Sequence, residues 1–382
     1  MYGIVEFGVM VDDSVRMRAY RQALALSIKP GSTVLDLGTG TGVMAMLACK
    51  HGAERVYAVE PSDVIQIARE TAAANGLGER IVFIKEISTR VALPERVDLI
   101  IEDVRGGLPW LGTHIPDIVD ARRRMLAPSG RIISTNDTVF CAVVELEDFY
   151  GKLTRPWRTP LEGLDLSAGE RYVLNAYHRI HPGADRLLTH PYAWAKLDYM
   201  TIESSVALGD FRLEIERDGV GHGILLWFDG ELIPGVKICN APGQPQTPYE
   251  PLFFPWPKPV ALRGGESVEI GLRGDLHGVK YVWTWSARFG LPGANGAPPL
   301  GFRQSTFLGL PLAVETIAGY APDTRPILSD SGHHARFVLG CMDGNMALEE
   351  IAAQLVARFR GHFPRMQDAL EFASNLSAKY RK

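Results

Sequence analysis

Val34-Leu35-Asp36-Leu37-Gly38-Thr39-Gly40-Thr41-Gly42 is the stretch that decides the fold of this chain. An apolar run ends in an acid, glycines follow at alternate positions, and a helical pattern begins after them. Beyond a second apolar run (Val56, Tyr57, Ala58, Val59) stands Glu60. Strand, glycine-rich turn, helix and an acid at the tip of the next strand make a nucleoside-binding βαβ unit. The glycines let the backbone approach a ligand closely, and the acid accepts from both ribose hydroxyls.

The pattern continues on both sides of that unit. Strands are expected at Thr33–Leu37, Arg55–Val59, Ile81–Ile84, Val97–Ile101 and Arg131–Ser134, with helices between them such as Asp63–Asn75 and Ile118–Leu126. Such alternation predicts an α/β, Rossmann-like doubly wound parallel sheet over residues 1–140. Texture changes over residues 141–290, where β-type runs appear at Leu197–Val206, Arg212–Arg217, Gly223–Phe228, Val268–Leu272 and Tyr281–Ala287. These predict an antiparallel β-barrel or sandwich domain. Residues 291–325 read as a linker that begins with the Gly/Pro-rich Leu291–Leu300. In 326–382, Leu348, Ile351, Leu355 and Phe359 fall on one helical face and predict a small helical module.

A chain of 382 residues is long enough for two or three domains, and 46% hydrophobic content supports a sizeable core. A net charge of −4 gives no bulk attraction to nucleic acid. No apolar run reaches membrane-spanning length and no signal peptide is legible, so a cytoplasmic protein with no membrane partner is expected. Cys49, Cys141, Cys239 and Cys341 are scattered without ligand spacing; they read as reduced thiols, and no metal is expected.

The Gly38-x-Gly40-x-Gly42 spacing, with Asp36 before it and Glu60-Pro61-Ser62 closing the next strand, departs from G-x-G-x-x-G and resembles motif I of class I S-adenosylmethionine methyltransferases. Further stretches narrow the resemblance to the protein arginine methyltransferases, over about residues 2–290. Val97-Asp98-Leu99-Ile100-Ile101-Glu102-Asp103 is similar to the strand leading to that family's catalytic loop, and Met10–Arg16 with Tyr20-Arg21 to its N-terminal helix. His222–Asp229 and Leu262–Val268 resemble barrel segments, and Trp157–Leu166 falls where the family carries a dimerisation arm. The resemblance implies S-adenosylmethionine as cofactor, a homodimer, and a methionine-carboxylate clasp at Arg16. The expected cofactor-binding set is Arg16, Asp36, Gly38, Gly40, Glu60, Pro61 and Glu86, the last following the third strand, where the adenine edge is read.

The acceptor loop departs from that family, which orients a guanidinium with two glutamates nine residues apart. Here the first position is Asp103 and the second lands on Gly112, with Thr113 and His114 beside it. The family's Thr-His-Trp loop is replaced by Thr247-Pro248-Tyr249-Glu250. A guanidinium presents five donors in a fixed fork that two carboxylates match. One carboxylate can instead orient an ammonium and help remove its proton. Asp103, Glu102 and, as a relay, His114 are the candidate catalytic residues.

The tail resembles PqqD-like peptide-recognition domains at Leu328-Ser329, Phe337-Val338-Leu339, Met342-Asp343-Gly344, Leu348–Ala352, Asp368, Phe372 and Leu376. In that family strands precede the helices in a winged-helix arrangement, and a leader peptide adds as a further strand. Phe307–Pro311 and Arg325–Leu328 are the strand candidates, while Ala313–Gly319 reads as helical. A structural or DNA-binding tail is the alternative, and no basic recognition stripe favours DNA.

The expectation is therefore a SAM-dependent N-methyltransferase acting on an amine of a peptide, a ribosomally made precursor bound through its leader. The alternatives are a protein arginine N-methyltransferase with an altered acceptor loop, and a cofactor-binding scaffold or peptide carrier without catalysis.

Overall fold

A computed structural model describes residues 3–290, 300–311 and 323–381. The chain forms two compact units, Met1–Pro311 and Leu312–Lys382.

The first unit opens with helices α1 (Ile4–Asp12) and α2 (Ser14–Ser27). Asp13 separates them and caps α2, accepting from the backbone N–H groups of Val15 and Arg16 at 2.9 and 3.2 Å. Then come β1 (Thr33–Leu37), α3 (Val43–Lys50), β2 (Arg55–Val59), α4 (Ile65–Ala74), β3 (Ile81–Ile84), β4 (Val97–Glu102), α5 (His114–Met125) and β5 (Leu126–Ile133). The strands pair in parallel in the order β3-β2-β1-β4-β5. Both faces are covered, so β1 and β2 are buried continuously after their first residue rather than alternately. The chain reverses direction of winding between β1 and β4, and an open α/β sheet binds ligands at the carboxyl ends of such a pair. Leu37, which precedes the glycine turn, lies in register with Glu102.

Next follow β6 (Asn136–Val144), α6 (Glu147–Arg158), α7 (Glu170–Leu174), β7 (His178–Arg179), β8 (Tyr192–Asp198), β9 (Ala207–Glu214), β10 (Gly219–Ile233), β11 (Val236–Cys239), β12 (Leu252–Leu262), β13 (Ser267–His277), β14 (Lys280–Phe289) and β15 (Leu300–Ser305). They form two antiparallel sheets, β7-β12-β10-β6-β8 with β11 on β10, and β15-β14-β13-β9. Phe254, Trp256, Trp283 and Trp285 fill the core with edge-on ring contacts. Three expectations shift here. The β-region begins at Asn136 rather than 141 and takes in Leu300–Ser305, which read as linker. The run Leu197–Val206 is not one strand: β8 ends at Asp198 and a turn carries the chain to β9. The long β12 escaped notice because its prolines disguise it.

The second unit holds α8 (Asp330–Cys341), α9 (Leu348–Arg358) and α10 (Met366–Tyr380), packed around Val338, Ile351, Leu355, Phe363 and Ala373. The helices stand where the sequence expected them, and Gly344 at φ +89° makes the expected turn. The winged-helix strands do not appear among the described residues: Arg325–Leu328 is extended coil, and Phe307–Pro311 is a turn in the first unit. Ala313–Gly319 lies outside the described residues. A helical module is thus present, without, among the described residues, the strand edge on which leader docking depends.

Among the described residues no helix is long and apolar enough to cross a membrane, and no group of His, Cys, Asp and Glu has the geometry to hold a metal ion. All four cysteines are free thiols.

A buried polar network ties the parallel sheet to the antiparallel one. Arg105, just past β4, pairs with Asp137 on β6, and both are fully buried. Arg105 Nη2 also donates to Ser134 Oγ at 2.7 Å, and its guanidinium lies 4.7 Å from the Phe228 ring centre. Burial disfavours the arginine's charge, but Asp137 together with Tyr20, Tyr199 and Tyr249 more than offsets it, and the pKa is held well above the ordinary value. Removing one partner of a buried pair strands the other. Asp137→Ala is therefore expected to cost about 3–5 kcal/mol of stability, measured by denaturant unfolding. A loss below about 1 kcal/mol, the range of exposed pairs, would show that the pair is not sealed from water.

Candidate functional site

The glycine turn after β1 is built for close approach. Gly38 and Gly40 have φ of +72° and +54°. A Cβ at Gly38 would sit 2.5 Å from Val104 Cγ1, and one at Gly40 would sit 2.7 Å from the Phe7 ring. The turn is pinned from below by the Gly38 and Thr39 N–H groups, which donate to Val59 O at 2.9 and 3.0 Å. Asp36 is buried beneath it, accepting from Thr39 Oγ1 at 2.5 Å and Ala45 N–H at 3.0 Å. It thereby fixes the turn to the start of α3. Burial pushes the Asp36 carboxyl up to about 6, although both hydrogen bonds work in the opposite direction.

Glu60 stands at the tip of β2. Its Oε2 accepts from Gly40 N–H at 3.2 Å, and its Oε1 accepts from Ser62 N–H at 3.0 Å and Ser62 Oγ at 2.7 Å. Glu60, Pro61 and the glycine turn line one wall of a cavity of about 450 Å³. Phe7, Met10 and Val11 of α1 line another, and Asp103 with Tyr249 a third. The cradle fits an S-adenosyl group: glycine backbone for the nucleoside, a carboxylate for the ribose, and a cation at Arg16 for a carboxylate. Glu86 lies outside the cavity lining; its Oε1 accepts from Ile87 N–H at 2.8 Å and faces Arg90 at 3.8 Å.

Arg16 joins the two halves of the cavity. Its Nε and Nη2 both donate to Asp103 Oδ2, at 2.7 and 2.5 Å, and its Nη1 donates to Met10 O at 2.9 Å. The Tyr249 hydroxyl accepts from Arg16 Nε at 3.0 Å and donates to Asp103 Oδ1 at 2.5 Å. Burial lowers the arginine's pKa, yet Asp103 and Tyr249 raise it by more, so the guanidinium stays charged. Tyr249, raised by burial and by Asp103, keeps its proton.

The other two candidate catalysts sit elsewhere. Glu102 and His114 are fully buried and do not line the cavity. His114 Nδ1 stands 2.6 Å from Glu102 Oε1, off the line of a good hydrogen bond, and its Nε2 is 3.0 Å from Tyr199 Oη. Tyr199 donates in turn to Asp137 Oδ2 at 2.6 Å, so both residues belong to the network around Arg105. The inward turn of Glu102 follows from strand alternation: Asp103 leaves β4 toward the cavity, and its neighbour points to the opposite face. At the second acceptor position Gly112 is exposed, with φ +59° and open space around its Cα.

A family model described as "Ribosomal protein L11 methyltransferase (PrmA)" matches residues 19–135. The "Probable protein arginine N-methyltransferase 6" of Arabidopsis thaliana is 29% identical over 231 residues, 58% of this chain and 53% of that relative's length. "Protein arginine N-methyltransferase 6" of Xenopus laevis is 30% identical over 254 residues, 62% of this chain and 72% of the relative. The chain belongs to the protein arginine N-methyltransferase family. Methyltransferase class and S-adenosylmethionine as methyl donor follow from that membership. The fold agrees: a Trypanosoma brucei PRMT1 enzyme–prozyme heterotetrameric complex, solved with AdoHcy, superposes with a TM-score of 0.71 at 22% identity, covering 80% of this chain and 98% of that one.

Sequence reasoning overlooked Tyr249 as a site residue. The only signal was its place in Thr247-Pro248-Tyr249, the segment that replaces the family's Thr-His-Trp loop. Asp36 carries a pH signature. Its folded pKa of about 6 lies above the unfolded value near 3.8, so the native state binds the extra proton. Stability is then greatest below pH 4 in this respect and falls as pH rises to about 6, by roughly 3 kcal/mol at 1.36 kcal/mol per unit. Asp36→Asn is expected to flatten that slope in denaturant titrations across pH 4–7; an unchanged slope would mean that the carboxyl is ionised throughout.

Proposed function

We propose that the protein is a SAM-dependent protein N-methyltransferase of the arginine-methyltransferase type, with a rebuilt acceptor loop. One observation supports this most: the cofactor cradle at Gly38, Gly40 and Glu60 and the acceptor-side acid Asp103 line the same cavity. S-adenosylmethionine, when bound, supplies a methyl group on a positively charged sulfur. The protein's task is then positional: hold an acceptor lone pair in line, near 3 Å, and keep water out. Phe7, Met10 and Val11 of α1 are placed to exclude water, and Asp103 to orient the acceptor's N–H. The family relationship favours the guanidinium of a protein arginine as the acceptor.

A second reading, methylation of a peptide amine, has one specific support. Arg16 occupies both lone-pair sites of Asp103 Oδ2 and Tyr249 one of those on Oδ1. A single site remains, enough for one N–H but not for a two-donor fork. Among the described residues of the C-terminal unit no strand edge supports delivery by a leader peptide. The exposed side chains of Leu161 and Leu164 at the tip of the arm after α6 favour a homodimer. Sedimentation should then give twice the 42.0 kDa chain mass, and a purely monomeric species would remove that assignment.

Transfer from labelled S-adenosylmethionine should be measured on a glycine–arginine-rich peptide and on a peptide with a free α-amine and no arginine. Label on the guanidinium supports the first reading, and label only on the α-amine the second. Glu60→Ala should abolish cofactor binding in calorimetry and both transfers; full binding by that variant would sink the site assignment.

A further inference from the structure

The helical unit carries a cavity of its own, which the methyltransferase site does not use. It measures about 390 Å³ and opens between α8, α9 and the turn after α9. Arg336, Arg358, His333, His334 and His362 line it, over a floor formed by Phe337 and Phe359. The Arg358 guanidinium carbon lies 5.2 Å from the Phe337 ring centre and 5.9 Å from that of Phe359, so its fork is held by stacking. Arg336 Nη2 lies 3.4 Å from His333 Nδ1. Among the described residues neither arginine is paired with a carboxylate, whereas Arg365, outside the cavity, is clamped by Asp368.

His334 forms the back wall. It is 5% exposed, makes no side-chain hydrogen bond among the described residues, and its ring lies 4.8 Å from that of His362 and 4.4 Å from that of Phe359. Its ring lines the cavity, where its nitrogens are available to hydrogen-bond an occupant. One acid also lines the cavity: Asp330, 3.7 Å from His362 Nε2 and thus engaged by that imidazole.

We propose that this cavity binds a single phosphoryl group carried on a protein. Two arginine forks and three imidazoles share the lining of one cavity. A planar carboxylate is saturated by one fork, whereas a tetrahedral phosphoryl group has oxygens for both forks and for a histidine. The phenylalanine floor extends the site beyond a free ion, toward the side chains that flank a phosphorylated residue. A nucleic acid needs a basic track that follows repeating phosphates. This unit instead has Asp343, Glu349, Glu350, Asp368 and Glu371 outside the cavity. The proposal does not depend on which nitrogen the first unit methylates.

The test uses the full chain in calorimetric titrations with a short phosphoserine peptide, its unphosphorylated twin, inorganic phosphate and a single-stranded oligonucleotide. The phosphoserine peptide should bind at least tenfold more tightly than its twin and than inorganic phosphate. Arg336→Gln with Arg358→Gln should weaken it at least tenfold, while Arg365→Gln leaves it unchanged; S-adenosylmethionine affinity serves as the control for an intact first unit. Both arginines are exposed, and helix content by circular dichroism confirms the fold of the variants. Equal binding of the twin, equal loss in Arg365→Gln, no binding of the phosphoserine peptide, or preference for the oligonucleotide would each overturn the proposal.

Discussion

The buried pairing of Arg105 with Asp137 is the constraint on which the first unit depends. Two full charges out of water tolerate little displacement, because each loses its opposite charge if the other moves. Arg105 belongs to the loop leaving the parallel sheet, and Asp137 to the first strand of the antiparallel one. Ser134, Tyr199, His114 and Glu102 complete the shell. The loop that presents Asp103 therefore hangs from a fixed point two residues away. The same arrangement places Glu102 and His114, which look catalytic in sequence, in the buried shell of this pair rather than in the cavity lining.

Within the cavity the two halves meet through Arg16. Arg16 lines the cavity beside the glycine turn and engages Asp103 across it. Tyr249 closes the triangle, where the family's loop has a tryptophan. Its hydroxyl leaves Asp103 well ordered but nearly saturated. Ordering a side chain before the substrate arrives lowers the entropic cost of binding. The accompanying loss of free lone pairs narrows what can be bound.

The parallel sheet was legible from residues 33–134 because buried parallel strands and glycine turns leave local signals, as Thr33–Leu37 and Ile81–Ile84 show. The glycine-turn wall of the cavity was legible for the same reason: Gly38, Gly40 and Glu60 lie at fixed offsets within one βαβ unit. The antiparallel region was harder. Its pairings join distant stretches, such as β6 with β10, and prolines mask β12. The acceptor half resisted most, since the contacts that define it, Arg16 to Asp103 and Asp103 to Tyr249, span long separations that no spacing rule encodes. The side of a strand end on which an acid points separated Asp103 from Glu102, and adjacency in sequence concealed it.

Gly112 occupies the place of the family's second acceptor glutamate, in a left-handed conformation but with nothing near enough to obstruct a side chain. An ordinary residue there would meet only the backbone penalty, roughly 1–2 kcal/mol, against a typical domain stability of about 5–15 kcal/mol. The scaffold thus tolerates a return of the lost acid. Folding sets only a small backbone cost on a side chain at position 112, and leaves room for one there.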